Sequence, residues 1–243
     1  MMIDLSAYQR IVVLTGAGVS AASGLRTYRG PDGLWKDEEV RRAAMVETLW
    51  TEPALTWRLF GARRMPVRTV QPNAAHEALV RMEESMRADQ QFLLITQNVD
   101  GLHQRAGSRK VLELHGNVTF TRCMSNSCEL APFEDGDDHS DEVPRCPKCG
   151  SVLRPDVVMF GEYLPVDTLR QSTQALRVCD LFIAIGTSGI VAPASQFVEL
   201  AEVAGARTIY LNLEPMEPPN PAFHEEHLGR AEELLPRLCG MGA

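Results

Sequence analysis

The sequence predicts an α/β protein: a doubly wound parallel sheet with a small domain inserted into it. Three observations carry that prediction. Six short apolar runs recur along the chain, Ile11–Leu14, Phe92–Thr96, Val111–Leu114, Val157–Phe160, Leu181–Ile185 and Thr208–Leu213. Each is bounded by Gly, Pro or polar clusters, as strands covered on both faces require. Helical patterns separate several of them, the alternation of a parallel sheet. Two stretches, 30–65 and 118–153, break the alternation, and the second holds two pairs of closely spaced cysteines.

The first run leads into Gly16-Ala-Gly18-Val-Ser-Ala21, which fits the G-x-G-x-x-G/A pattern of a dinucleotide-binding turn. A dehydrogenase would continue with a helix, a second strand and an acidic residue about twenty positions on. Here the chain reads LRTYRGPDGLW instead, with no apolar run. Further on, Asn73 can cap a helix in AAHEALVRMEESMRA, where Ala78, Leu79, Met82 and Met86 form an apolar stripe. Leu169–Val178 and Ala194–Ala204 read as helices feeding the next strand. Within 30–65, EEVRRAAMVETLW and PALTWRLFGARRM are helix-like. The acidic run Glu134–Glu142 reads as a solvated, mobile loop.

Composition narrows the partners. The chain has 243 residues, 44% hydrophobic, with 24 Lys plus Arg against 32 Asp plus Glu, a net charge of −8. That balance opposes non-specific binding to nucleic acid, and no direct nucleic-acid partner is expected. The start, MMIDLSAYQR, lacks the basic and apolar regions of a signal peptide. No apolar run approaches the roughly 20 residues that cross a bilayer, so no membrane partner is expected and the location is expected to be cytoplasmic. Cysteines in that compartment are reduced thiols or metal ligands.

Cys123-x4-Cys128 is followed after seventeen residues by Cys146-Pro-Lys-Cys149-Gly150. Two close pairs at turns can converge four thiolates on one zinc ion at about 2.3 Å, and four thiolates leave no open position, so the metal is structural. Cys179 and Cys239 stand apart in apolar contexts and read as small core hydrophobes. The chain thus divides into a Rossmann-like large domain (1–29, 66–117 and 154–243) and a small domain made of a helical insert (30–65) and a zinc ribbon (118–153).

Polar groups mass where open α/β sheets bind ligands, just past strand ends. After the second run come Gln97, Asn98 and Asp100, which can hold a ribose and a carboxamide. After the third comes His115, a candidate general base because imidazole titrates near neutral pH. His103 and His76 read as packing and hydrogen-bonding residues. An NAD-linked oxidoreductase would explain the glycine turn but not the missing ribose carboxylate or the cysteines. A zinc-ribbon nucleic-acid module would explain the cysteines alone, against the net charge.

GAGVSAASGLRTYRG, TQNVDGLHQRAG, ELHGN, the two cysteine pairs, RPDVVMFGE, GTSGIVAPAS and LNLEP occur in order from about residue 11 to 231. Together they resemble the sirtuins, NAD-dependent protein-lysine deacylases, and most closely the bacterial and mitochondrial branch that also removes acidic acyl groups. The resemblance implies that NAD is consumed, which removes the need for a dehydrogenase plan. It implies a cofactor site of Gly16, Ala17, Gly18, Ser20, Gly24, Tyr28, Arg29, Trp35, Gln97, Asn98, Val99, Asp100, Gly186, Thr187, Ser188, Asn212, Leu213, Glu214 and Ala231. It implies catalysis by His115 as base, with Asn98 and Asp100 orienting the nicotinamide. An acyl-lysine peptide would add a strand against Val157, Val158, Phe160 and Gly161. Products would be lysine, nicotinamide and O-acyl-ADP-ribose. Two positions depart from the family: Ala22 stands where a glutamate is usual, and Phe60 stands where the acid-preferring branch has a Tyr three residues before an Arg, here Arg63. Phe60 and Arg63 are therefore the expected acyl-binding pair, with activity on acetyl groups and weaker activity on succinyl or malonyl groups.

Overall fold

The computed structural model describes residues 3–30, 33–238 and 240. Nine strands run in chain order among them: β1 (Arg10–Thr15), β2 (Gln91–Thr96), β3 (Val111–Glu113), β4 (Gly116–Cys123), β5 (Phe133–Glu134), β6 (Leu153–Val157), β7 (Leu181–Ile185), β8 (Arg207–Asn212) and β9 (Glu225–Leu228). Six of them form one sheet in the order β3-β2-β1-β7-β8-β9, and every pairing in it is parallel. The other three form an antiparallel sheet, β5-β4-β6. The α-helices are α1 (Glu38–Ala43), α2 (Val46–Thr51), α3 (Pro53–Thr69), α4 (Ala74–Glu84), α5 (Leu102–Ala106), α6 (Val166–Leu176), α7 (Phe197–Val203) and α8 (Ala231–Leu238). No described helix is long and apolar enough to cross a membrane.

Alternation along the strands builds two cores, one per face of the parallel sheet. Ile11 and Val13 of β1 pack with Ile183 of β7 against Ala78, Leu79 and Met82 of α4 and Leu235 of α8. Val12 and Leu14 face the other way, with Phe182 and Tyr210, onto Leu176 of α6 and Phe197, Val198 and Ala201 of α7. Helix α4 starts as its sequence requires: the Asn73 side chain accepts from Ala75 N–H, and His76 Nδ1 accepts from Asn73 N–H.

The apolar run at 157–160 is not a strand of the main sheet. The strand lies earlier, at β6, and pairs with β4 in the small sheet. Beyond Val157 the chain makes only an isolated bridge, Phe160 to Met45. Pro155 fits there because β6 is an edge strand. Neither β4 nor β9 carries a continuous apolar run, so the apolar pattern does not predict them. Cys179 is 2% exposed within the core, as expected; Cys239 lies outside the described residues.

Nor is the acidic run a free loop. Arg64 of α3 is 0% exposed and forms the clasp that holds it. Its guanidinium donates to Val118 O (2.9 Å), Asp137 O (2.7 Å), Phe120 O (3.2 Å) and Thr121 Oγ1 (2.7 Å), and pairs with Asp135 at 3.1 Å. A buried guanidinium without such partners would cost several kcal/mol, so the carboxylates are drawn inward. The strap then runs over Gly61, where a Cβ would come within 1.7 Å of Asp138 O. Trp57 continues the dock, donating its indole N–H to Leu153 O at 2.9 Å and packing beside Cys146.

Candidate active site

The turns that follow β1, β2 and β7, with the end of β8, open on one cavity of about 580 Å³. It sits where β1 parts the chain between β2 and β7, the switch point at which doubly wound sheets take ligands. Its size falls within the roughly 300–1,000 Å³ of small-molecule sites. Gly16, Ala17, Gly18, Tyr28, Arg29, Trp35, Gln97, Asn98, Val99, His115, Gly186, Thr187, Ser188, Asn212, Leu213, Glu214 and Ala231 line it, with Phe60, Val157, Val158, Phe160 and Gly161. Ser20, Gly24, Asp100 and Arg63 are not in the wall. The wall also includes residues that the sequence did not single out, among them Ala44, Glu162 and Arg230.

The glycines of the first turn serve the protein's own packing. A Cβ on Gly16 would lie 2.7 Å from Gly186 O, and one on Gly18 would lie 2.8 Å from Gly186 Cα. Their N–H groups donate to Ile185 O (2.9 Å) and Gly186 O (2.8 Å), so the turns after β1 and β7 are bonded to each other. Gly24 closes the following 3-10 helix (Ala17–Ser23) with φ of 94°, a left-handed cap.

Beneath the wall lies a polar floor. Ser20 Oγ donates to Asp100 at 2.7 Å, and Asn98 Nδ2 donates to Gly16 O (3.1 Å) and Ser20 Oγ (3.2 Å). The amide end of Asn98 is thus used internally, which leaves its carbonyl oxygen to accept from a ligand. Burial raises the Asp100 carboxyl above its ordinary range, opposed by the Leu102 N–H and the Ser20 hydroxyl. Thr15 and Thr96 pair side by side at the ends of β1 and β2, and Thr15 also meets His103 Nε2 at 2.9 Å. Burial pushes His103 and His76 down to about 3 and about 4, so both are neutral packing residues, as expected. The sequence reading does not include this floor; the threonines that end β1 and β2 are the signal from which it could be found.

His115 lies in the turn between β3 and β4. Its Nδ1 is 3.0 Å from Gln97 O. A carbonyl only accepts, so Nδ1 carries the proton and Nε2 keeps a free lone pair. Burial lowers its pKa below the ordinary histidine value, with the Gln97 carbonyl opposing. The imidazole is therefore neutral at pH 7 and able to take a proton.

The other end of the cavity is aromatic. Tyr28 stacks on Trp35 (centroids 4.8 Å apart), and Trp35 meets Phe160 edge-on at 5.1 Å. Arg63 lies over the outer face of Tyr28, 4.8 Å from the ring centroid.

Cys123, Cys128, Cys146 and Cys149 converge, every sulfur within 4.8 Å of the others. Cys123 and Cys149 lie 3.5 Å apart, and Cys128 and Cys146 lie 3.6 Å apart. A tetrahedron with zinc–sulfur bonds of about 2.3 Å has edges of about 3.8 Å, so the four thiols fit one zinc ion. Asp135, Asp137 and His139 also cluster, but Asp135 is already balanced by Arg64.

The profile of the Sir2 family matches residues 16–193. The chain belongs to the Sir2 family. Among curated sirtuins it is similar to an NAD-dependent protein deacylase of Aquifex aeolicus, 44% identical over 217 residues, covering 89% of this chain and 88% of that one. It is 43% identical over 231 residues to an NAD-dependent protein deacylase of Salmonella typhimurium, covering 94% and 82%. Among solved structures it superposes on a Sir2 homologue bound to NAD with a TM-score of 0.87, 38% identity and coverage of 97% and 90%. A Sir2 protein captured with a deacetylated peptide and an O-acetyl ADP-ribose gives 0.86 at 32% identity, covering 98% and 95%.

Proposed function

We propose that the protein is an NAD-dependent protein-lysine deacylase that consumes NAD and releases nicotinamide, free lysine and O-acyl-ADP-ribose. The observation that carries this reading is His115, a neutral imidazole with Nε2 free, in one cavity with the glycine turn and Asn98. In this reading the adenosine end of NAD lies along Gly186–Ser188, Asn212–Glu214 and Ala231. Gln97 holds the ribose, and Asn98 and Asp100 orient the nicotinamide. The acyl oxygen of the lysine would attack ribose C1′ as nicotinamide leaves, and His115 would take the proton of the ribose hydroxyl that attacks the acyl carbon. The carbon–nitrogen bond would break with the lysine amine leaving protonated, and a water would add at that carbon to give O-acyl-ADP-ribose. Holding both reactants in line supplies much of the rate. The substrates are acyl-lysine proteins or peptides, and one structural zinc is held by the four cysteines. The direct test is incubation with NAD and an acetyl-lysine peptide. Nicotinamide should appear in proportion to peptide, and none above an NAD-only control would overturn the reading.

The acyl preference follows from Phe60 and Arg63. Phe60 lines the cavity as an apolar wall, and Arg63 sits one helical turn on, over Tyr28. A guanidinium there can leave the ring for a succinyl or malonyl carboxylate. With Phe60 the second donor is missing, so activity on acidic acyl groups is weaker than on acetyl. Phe60→Tyr should raise succinyl kcat/KM selectively by about tenfold, the worth of one hydrogen bond to a charged acceptor. Arg63→Met should remove succinyl activity and spare acetyl. An unchanged succinyl-to-acetyl ratio in both variants means that Arg63 serves Tyr28 alone.

A further inference from the structure

The small sheet places two arginines face to face. Arg122 of β4 and Arg154 of β6 are direct partners in the register. Like charges in that position repel. Asp156 stands 3.2 Å from Arg122 Nε, without hydrogen-bond alignment. Arg154, 4% exposed, is answered by Glu162, which takes its fork at 2.5 and 2.7 Å. Planar two-bond contacts of this kind are strong and directional.

The same two side chains tie down the segment between them. Arg154 also donates to Val157 O at 2.7 Å, and Glu162 accepts from Met159 N–H at 2.8 Å. So one ion pair clamps residues 157–162 from the inside, from both ends. That segment lines the cavity and donates from Val158 N–H to His115 O at 2.9 Å and from Phe160 N–H to Ala44 O at 2.9 Å. Burial alone would raise the Glu162 carboxyl; the Arg154 and Met159 hydrogen bonds outweigh it and hold it below its ordinary range.

We propose that Glu162, gripped by Arg154, is a positioning residue that sets the backbone edge at Val157–Gly161 for strand addition by the chain flanking the modified lysine. This rests on the deacylase reading. Glu162 itself is in the cavity wall, and the pair acts through the backbone of 157–162: it decides how well a peptide, as opposed to an isolated acyl-lysine, is bound.

The test compares an acetyl-lysine peptide of about ten residues with a single acetyl-lysine blocked at both ends. Glu162→Gln should lower peptide kcat/KM about tenfold, mainly through KM, as loss of a charged hydrogen bond implies. The single-residue substrate and the KM for NAD should change less than about twofold, because neither uses the edge. Glu162→Gln leaves two facing arginines with one carboxylate, so a second variant separates stability from positioning. Arg122→Gln with Glu162→Gln should recover the melting temperature and not the peptide preference. Amide exchange at 157–161 should quicken in both variants, a readout that needs no activity. Equal losses on both substrates, recovery of the peptide preference in the double variant, or unchanged exchange would overturn the proposal. A wild type that releases no nicotinamide would overturn the deacylase reading, while the exchange measurement still judges the clamp.

Discussion

Replacing His115 with alanine should lower deacylation by about 10²–10⁴-fold, the usual worth of a single general base. The fold and the zinc content should not change, because His115 sits in a turn and, among the described residues, its side chain bonds the Gln97 carbonyl alone. The pH profile gives a second check. The base acts when neutral, and burial depresses its pKa below the ordinary value of 6.5. Activity should therefore hold as pH falls through 6.5 and drop only below it, in the window set by the depressed pKa. Stability has the same sign: the unfolded imidazole binds a proton first as pH falls, so acid favours unfolding. Activity of His115→Ala within a few-fold of wild type, or an acid limb above 6.5, would remove His115 from the role.

Replacing Cys146 with serine should have the largest structural effect. Structural zinc contributes about 10–16 kcal/mol in free zinc-binding modules, and that energy is folding energy. Cys146 is 3% exposed and packs against Trp57 and Leu153. Its loss would therefore reach helix α3, whose Trp57 faces the ribbon and whose Phe60 faces the cavity. The expected results are about one zinc per wild-type chain, none in the variant, a shifted Trp57 emission and lost turnover, as a four-thiolate site implies. A metal-free variant with wild-type emission and activity would refute the zinc reading.

The runs that became β1, β2, β7 and β8 were legible because strands inside the sheet and covered on both faces must be apolar throughout. The edge strand β3, half-buried along its length, was legible through Val111 and Leu112. The edge strand β9, EEHL, escapes that rule, since only part of it is covered. VVMF drew attention from the true strand LRPDV, whose Pro and charges are tolerated only at an edge. The acidic strap reads as a loop in the sequence because composition shows its carboxylates but not the buried Arg64 that answers them. At the cavity the strand-end residues were readable from chain order. Depth was not, so Ser20 and Asp100 lie under the wall while Ala44 is in it.

The position of β1 has a consequence for how the chain comes into being. It is made well before β2 and β7, yet it lies between them in the sheet and needs partners on both edges. One edge closes when Ile11 meets Phe92, and the other waits for Leu181. At about 5–20 residues per second of synthesis, the open edge waits roughly 10–30 s on the ribosome. During that time Ile11–Leu14 presents unpaired backbone beside bare apolar side chains, the kind of surface that chaperones hold and that aggregates seed from. The cavity straddles this same seam, so no nascent chain that stops short of β7 can contain it.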